Sequence, residues 1–299
     1  MTRVDMEVKP PAVEDLTVPR LKPRWGVIIS VGLIHLGVLL APGTFTWSAF
    51  WLCLGLMWVT GWVGIALCYH RLLTHRSFKM PRLLEYLLTF CGVLAAQGGA
   101  VGWVSTHRLH HAYSDTPQDP HSPVKNFWWG HMGWFLYDDP RRARCWAMDL
   151  ARDPVHRFLN RTQGLWPVLL GVFLYAVGGF SWLIWGFAVR TVVVYHVTWS
   201  VNSAAHTWGY RSYQTNDRST NCWWVALLSF GEGWHNNHHA FPRSARHGLR
   251  WWELDLTYLT IRLLALLGIA RNVSVPDRAR LEAPSPGSLP EPGLFHRTP

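Results

Sequence analysis

The chain has 299 residues, enough for one large domain or two small ones, with 49% hydrophobic residues, only 15% charged residues and 20 Trp. So few charges beside so many indoles suit a membrane protein, because Trp favours the headgroup boundary. The formal net charge is +10, but no basic stretch is interleaved with exposed aromatics on a soluble module, so nucleic acid is excluded as a partner and the excess reads as a cationic face toward anionic lipid. The five Cys (Cys53, Cys68, Cys91, Cys145, Cys222) form no CxxC pair. Cys53, Cys68 and Cys91 lie in apolar segments, which indicates packing in a reducing compartment rather than a disulfide framework.

Residues 1–24 lack apolar periodicity and close on the basic run Arg20, Lys22, Arg24. They read as a cytosolic arm without the pattern of a cleavable signal peptide. Trp25 to Leu40 is continuously apolar apart from Ser30 and His35, and the uncharged link Ala41-Pro42-Gly43-Thr44 leads to a second apolar run, Phe45 to Tyr69. A bilayer span needs about 20 residues, so the second run suffices and the first needs its flanks. With cations at the other end, the two runs predict a hairpin dipping from the cytosol.

Residues 83–104, broken by Glu85, Gln97 and four Gly, read as a membrane-surface or re-entrant segment. Residues 105–163 are polar and rich in Arg, hence cytosolic. Two apolar stretches, 164–180 and 182–205, joined at Gly178-Gly179, predict a second hairpin in which Arg190 needs a polar partner. Residues 211–250 return to the cytosol. In 251–270, Trp, Leu, Ile and Tyr alternate with Glu253, Asp255 and Arg262, as in an amphipathic helix lying on the interface. Residues 275–299 hold six Pro and read as disordered. The expected fold is an all-α integral membrane protein, with four transmembrane helices as two hairpins and a cytosolic helical cap. Its parts are an arm (1–24), a membrane domain with its cap (25–272) and a Pro-rich tail (273–299), integral to the cytoplasmic membrane with both termini cytosolic.

The chemistry lies in three histidine clusters: His70 and His75; His107, His110 and His111; and His235, His238 and His239. His206 stands alone at the end of the fourth apolar run, with Asn202 one turn earlier. Each cluster falls where an apolar run meets the cytosol. The i, i+3, i+4 spacing of the second and third clusters puts three rings on one helix face. His70 and His75 lie about 140° apart on an ideal helix, so their convergence requires a helix end between them. A single His beside an apolar face is ordinarily a hydrogen-bonded structural residue. Nine in this arrangement form a neutral nitrogen-donor set with scarcely a carboxylate among them. Catalytic zinc takes three protein ligands, so nine donors imply two metal ions. Imidazole suits Zn, Cu, Fe and Ni alike, so spacing does not choose the element.

The motifs HRLLTHRSF, HRLHHAYSD and GEGWHNNHHAFP resemble the three histidine boxes of membrane fatty acid desaturases, and VNSAAH resembles the segment that supplies a further ligand. The likeness runs from about Trp58 to Asn272 and is nearest to the Δ9 acyl-lipid desaturases of cyanobacteria and the stearoyl-CoA desaturases of animals. It implies that His70, His75, His107, His110, His111, His206, His235, His238 and His239 bind two irons, five to one and four to the other, with Asn202 holding the second through a water. It does not assign each ring to an ion. The implied reaction uses O₂ and two electrons to place a cis double bond, at Δ9, in a saturated acyl chain on lipid or CoA. Asp115, Asp119 and Glu232 are expected to take the far N–H of ligand rings. His121 and His247 are further candidates to orient a ligand, while His35, His131, His156 and His196 read as structural.

The substrate is expected in an apolar tunnel between the spans, with Trp58 or Trp62 as its floor. Gln97 and Trp103 match the animal enzymes. The Arg-Asp pair that precedes their second box is replaced here by Ser105 and Thr106, which leans toward an acyl-lipid carrier. No electron-transfer module is fused, so a separate ferredoxin or cytochrome b5-type donor is expected on the basic cytosolic face. A related hydroxylase or ketolase fits the box spacing less well. A metal transporter would place its ligands nearer the bilayer midplane.

Overall fold

The computed structural model describes residues 21–277 except Arg144, together with Leu281. The sequence expectations for residues 1–20 and for most of the Pro-rich tail lie outside those residues. The fold is mostly helical. Lys22–Pro23 (β1) pairs antiparallel with Tyr137–Asp138 (β2), which fixes the chain just before α1, Trp25–Val38. Helix α2 runs from Trp47 to Thr74 and is π-wound from Trp58 onward. Next come α3 (Arg82–Val93), α4 (Ala100–Tyr113), α5 (Phe127–His131), α6 (Met148–Ala151) and α7 (Pro154–Arg161). Then α8 (Leu165–Leu183) passes through a π-helical stretch, Ile184–Val189, into α9 (Arg190–Ser203). The short helices α10 (Trp223–Leu228) and α11 (His235–Ala240) precede α12 (Leu256–Leu266).

Two helical runs, Trp47–Thr74 and Leu165–His206, are long and apolar enough to cross a membrane. Their outward faces carry Trp51, Leu54, Val172, Phe173 and Val177, all exposed, a surface suited to lipid. The second run is broken at Gly179, whose φ of 67° and ψ of −160° are open essentially to Gly alone. Beyond that break the chain doubles back, and Gly171 lies against Leu183 and Phe187. The two apolar turns meet at the same end. Ser181 Oγ donates to the Thr44 carbonyl at 2.6 Å and Trp185 Nε1 to the Ala41 carbonyl at 3.2 Å. Helix α1 packs on Ile184–Val189 and α9, with Gly37 against Ala188.

The stretch read as one surface segment, 83–104, is two helices. Helix α3 lies so close along α2 that a Cβ on Gly64 would come within 2.5 Å of the Gly92 amide nitrogen, and α4 already carries the second histidine cluster. Arg190 finds its polar partners in carbonyls: Nε donates to Gly186 at 3.1 Å and an Nη to Leu94 at 2.8 Å, closing the end of α3. The helix expected across 251–270 is shorter. Asp255 caps it by accepting from the Tyr258 amide, and Glu253 and Asp255 are buried rather than wetted because both serve the polar core described next. Ser274 is tied to the cap through its amide on the Ser77 carbonyl and its carbonyl on the Ala245 amide. All five Cys are free.

Candidate metal centre

Four stretches of backbone bring the nine rings together. The π-winding of α2 supplies the first pair. In that winding the His75 amide donates five residues back, to the His70 carbonyl at 3.2 Å, and the two rings sit 4.8 Å apart. Five-residue hydrogen bonding, together with the helix end at Thr74, converges the rings. Helix α4 presents His107, His110 and His111, α11 presents His235, His238 and His239, and a 3₁₀ turn, Ala204–His206, presents His206.

The rings sort into two groups. His70, His75, His107, His111 and His238 offer nitrogens all within 4.8 Å of one another, and so do His110, His206, His235 and His239. Asn202, one turn before His206, lies on the wall of the adjoining cavity.

Carboxylates stand behind the rings. His70 Nδ1 meets Glu232 at 2.5 Å, His110 Nδ1 meets Asp119 at 2.8 Å, His206 Nδ1 meets Asp115 at 2.8 Å and His239 Nδ1 meets Asp217 at 2.7 Å. An ionised carboxylate has no hydrogen to give, so each of these four rings carries its proton on Nδ1 and turns a bare Nε2 lone pair inward. Protons alone cannot satisfy what results. His238 Nε2 lies 3.1 Å from His70 Nε2 and 3.0 Å from His111 Nε2, and one hydrogen cannot serve both contacts. The buried Nε2 atoms of His75, His110 and His206 have no hydrogen-bond partner among the described residues. A cation in each group would accept every lone pair, so the donor set fits two metal ions.

The contrast with His35, His196 and His131 is instructive. His35 Nδ1 donates to the Val31 carbonyl (2.7 Å), His35 Nε2 meets His196 Nε2 (3.1 Å), His196 Nδ1 meets His131 Nε2 (2.9 Å) and His131 Nδ1 meets Ser203 Oγ (2.9 Å). Neutral tautomers satisfy that chain throughout, and it needs no ion. His156 pairs with Glu85 at 3.0 Å.

Burial, reinforced by the neighbouring rings, pushes His107, His110, His235, His238 and His239 well below the ordinary imidazole range, and His111 down to about 3. The rings are therefore neutral ligands-in-waiting at neutral pH. Glu232 stays ionised: burial opposes this, but Arg71, His70 and His247 hold it down. Asp217 likewise stays ionised against its burial, through hydrogen bonds from His239, Ser219 and Thr215.

Several contributors were not read from the sequence. Asp217 lies far from any box, and no local spacing ties it to His239. Arg71 is fully buried; its Nε donates to Glu232 at 3.0 Å and an Nη to Asp255 at 3.0 Å, so it braces the carboxylate behind His70. Its position beside His70 in the first box was the available signal. The two further candidates that the sequence did offer also reach these carboxylates, His247 at 3.3 Å from Glu232 and His121 at 3.6 Å from Asp119.

A cavity of about 1290 Å³ has His70, His107 and Glu232 in its wall. Val31 and Ile34 of α1, Met57, Gly61 and Ile65 of α2, and Phe187 and Val194 make it apolar. Gln97 and Trp103 also line it: Gln97 Nε2 donates to Thr198 Oγ1 at 2.9 Å, and Trp103 Nε1 to Gln97 Oε1 at 3.4 Å. Trp58 and Trp62, the expected floor, are not among the residues that line this cavity. Trp58 points outward with 49% exposure and Trp62 stacks on Phe230 at 4.7 Å.

Residues 45–267 match the family model described as fatty acid desaturase. The chain is 54% identical over 249 residues to an sn-1 stearoyl-lipid 9-desaturase of Anabaena variabilis, covering 82% of this chain and 92% of that one. It is 50% identical over 267 residues to an sn-1 stearoyl-lipid 9-desaturase of Synechocystis sp., covering 88% and 84%. It is also 47% identical over 254 residues to an acyl-CoA C20 Delta5-desaturase of Anemone leveillei, covering 84% and 81%. With its paired imidazole groups set against an apolar cavity, the chain belongs to the fatty acid desaturase family of oxidoreductases.

Proposed function

We propose that the chain is an O₂-dependent di-iron desaturase that introduces a cis double bond, at Δ9, into a saturated acyl chain carried on lipid. The observation that carries this reading is a pair of nitrogen-only groups beside an apolar cavity, with His70 and His107 of the first group and Asn202, one turn before His206, in its wall. His70, His75, His107, His111 and His238 would hold one iron. His110, His206, His235 and His239 would hold the other, with Asn202 acting through a water. Bound there, the iron pair supplies the O₂ activation needed to break an unactivated C–H bond.

The protein's own residues do the rest. Glu232, Asp115, Asp119 and Asp217 lock the rings in one tautomer and orientation. The cavity walls exclude water and stretch the chain past His70 and His107, while the Trp103–Gln97–Thr198 hydrogen bonds fix its polar seam. In the net change, two hydrogens from adjacent methylenes, O₂, two electrons and two protons become an alkene and two waters.

The lipid carrier is supported at the positions before the second box. Ser105 Oγ accepts from the Trp146 amide at 2.7 Å and Thr106 Oγ1 donates to the Gly102 carbonyl at 3.0 Å, so neither offers a charge to a CoA phosphate. At the cavity rim Arg24 is paired with Asp138. The two names ending in stearoyl-lipid 9-desaturase support both carrier and position. The long apolar helices support a membrane protein with α1, α2 and the two arms around Gly179 as four crossings in two hairpins, and with the histidine-bearing cap and both termini in the cytosol. The reading is tested by expression in a host with saturated lipids, followed by double-bond mapping of fatty acid methyl esters and separation of lipid and CoA pools. A new Δ9 alkene in the lipid pool, lost in His110→Ala and His238→Ala, is expected. An alcohol product would replace desaturation by hydroxylation.

A further inference from the structure

The carboxylate behind His70 and those behind His206 and His239 differ in how they reach the surface. Glu232, behind His70, is itself enclosed by Arg71 and Asp255, and all three are buried. The other imidazole group is reached from two neighbouring residues of a single loop, through Asp217 itself and through the Arg218 amide on Asp115. Asp217 takes His239 Nδ1 at 2.7 Å. The Arg218 amide donates at 2.7 Å to Asp115 Oδ2, the same oxygen that takes His206 Nδ1 at 2.8 Å.

That loop, residues 211–218, is polar, and none of the exposed large apolar side chains falls within it. Arg211 and Arg218 are exposed. Arg211 braces the loop by donating to the carbonyls of Thr215 (2.9 Å) and Asp217 (2.8 Å). The loop's one carboxylate, Asp217, is committed to His239, Ser219 and Thr215. A surface that is cationic, polar and two hydrogen bonds from a pair of rings suits transient docking of a soluble charged partner more than insertion into lipid.

We propose that the 211–218 loop is the docking site of an acidic one-electron carrier protein, and that electrons enter through the His110, His206, His235, His239 group by way of Asp115 and Asp217. This rests on the desaturase reading, whose reaction consumes two electrons per double bond that no group among the described residues supplies. Two successive dockings each deliver one electron, leaving the carrier oxidised.

The test uses the full-length protein in lipid nanodiscs, with two acidic probes: a plant-type [2Fe–2S] ferredoxin with its reductase, and a soluble cytochrome b5 domain with its reductase. The paired change Arg211→Glu with Arg218→Glu is compared with Arg157→Glu, an exposed cation elsewhere. With whichever probe drives the wild type faster, the paired variant should lose about tenfold or more in turnover at low salt. Binding of the same probe to metal-free protein should weaken in parallel, and both effects should shrink as salt rises. Alkene formed in one turnover, after stoichiometric anaerobic reduction with dithionite and a pulse of O₂, should stay within about twofold of wild type. Equal probe binding and turnover in the paired variant and the wild type overturn the proposal, as does failure of both probes to drive a wild type that turns over once with dithionite. Loss of the dithionite turnover in the variant overturns it too, by assigning the arginines to structure or membrane contact. A wild type that makes no alkene even after dithionite fails at the desaturase reading instead.

Discussion

At the scale of single residues, the division of labour is between rings that face inward and the charged groups that aim them. The spacing within each cluster made nine histidines legible as a set, because i, i+3 and i+4 place rings on one helix face wherever the helix sits. It could not show which ring joins which group, since that depends on how α2, α4, α11 and the turn at His206 pack. Asp217 was illegible for the same reason: its only tie to His239 is through space. Asp217→Ala should lower iron affinity by about 10–100-fold, measured as metal per chain across an iron titration, and an unchanged titration would leave Asp217 without a role. Arg71→Met should unfold or strongly destabilise the cap, by about 3–5 kcal/mol, because Glu232 and Asp255 would be left as buried charges without the guanidinium that balances them. Thermal unfolding in detergent measures that loss.

Among elements, the close approach of α2 and α3 and the break at Gly179 carry most weight. A Gly178-Gly179 pair between apolar runs was readable as a turn, whereas the π-winding of α2 left no mark in the residue pattern, and so His70 and His75 looked poorly aligned. Gly64→Ala should cost about 1–3 kcal/mol, since its Cβ would press on the α3 backbone rather than on a flexible side chain; the melting temperature reports it. Helix α6 contributes a pH-dependent clasp. Asp149 joins Arg76, just beyond the first box, to Arg108 in α4, at 2.5 and 2.6 Å. Its burial raises its pKa, but the two guanidiniums win and bring it down to about 2. A carboxyl depressed in the fold contributes stability that is present in full above its unfolded value, near 4, and is lost as pH falls toward 2. Asp149→Asn should therefore flatten the acid limb of cap unfolding between about pH 4 and pH 2, followed by Trp fluorescence.

For the molecule as a whole, the cavity links the lipid-facing helices to the polar cap. That Trp58 and Trp62 stand outside its wall has a direct outcome. Trp58→Ala and Trp62→Ala should leave the product chain-length profile unchanged, whereas Met57→Trp or Gly61→Trp, which project into the cavity wall, should shift it toward shorter acyl chains. Profiling of methyl esters distinguishes the two sets. Any ion that binds only the folded state also stabilises it by mass action, so iron or zinc at about 100 times its dissociation constant should raise the melting temperature by about 5–10 °C.

Counting formal charge around the nine rings leads one step further. Glu232, Asp115, Asp119 and Asp217 each stand behind one ring, and the further carboxylate of Asp255 is offset by the Arg71 guanidinium. The remainder is four carboxylates, two buried and two half-buried, matched in magnitude by a pair of dications with no anionic ligand of their own. Electroneutrality is thus built into the scaffold at a distance of one imidazole width. Zinc should satisfy the architecture as well as iron does, yielding a folded, fully loaded and catalytically silent protein.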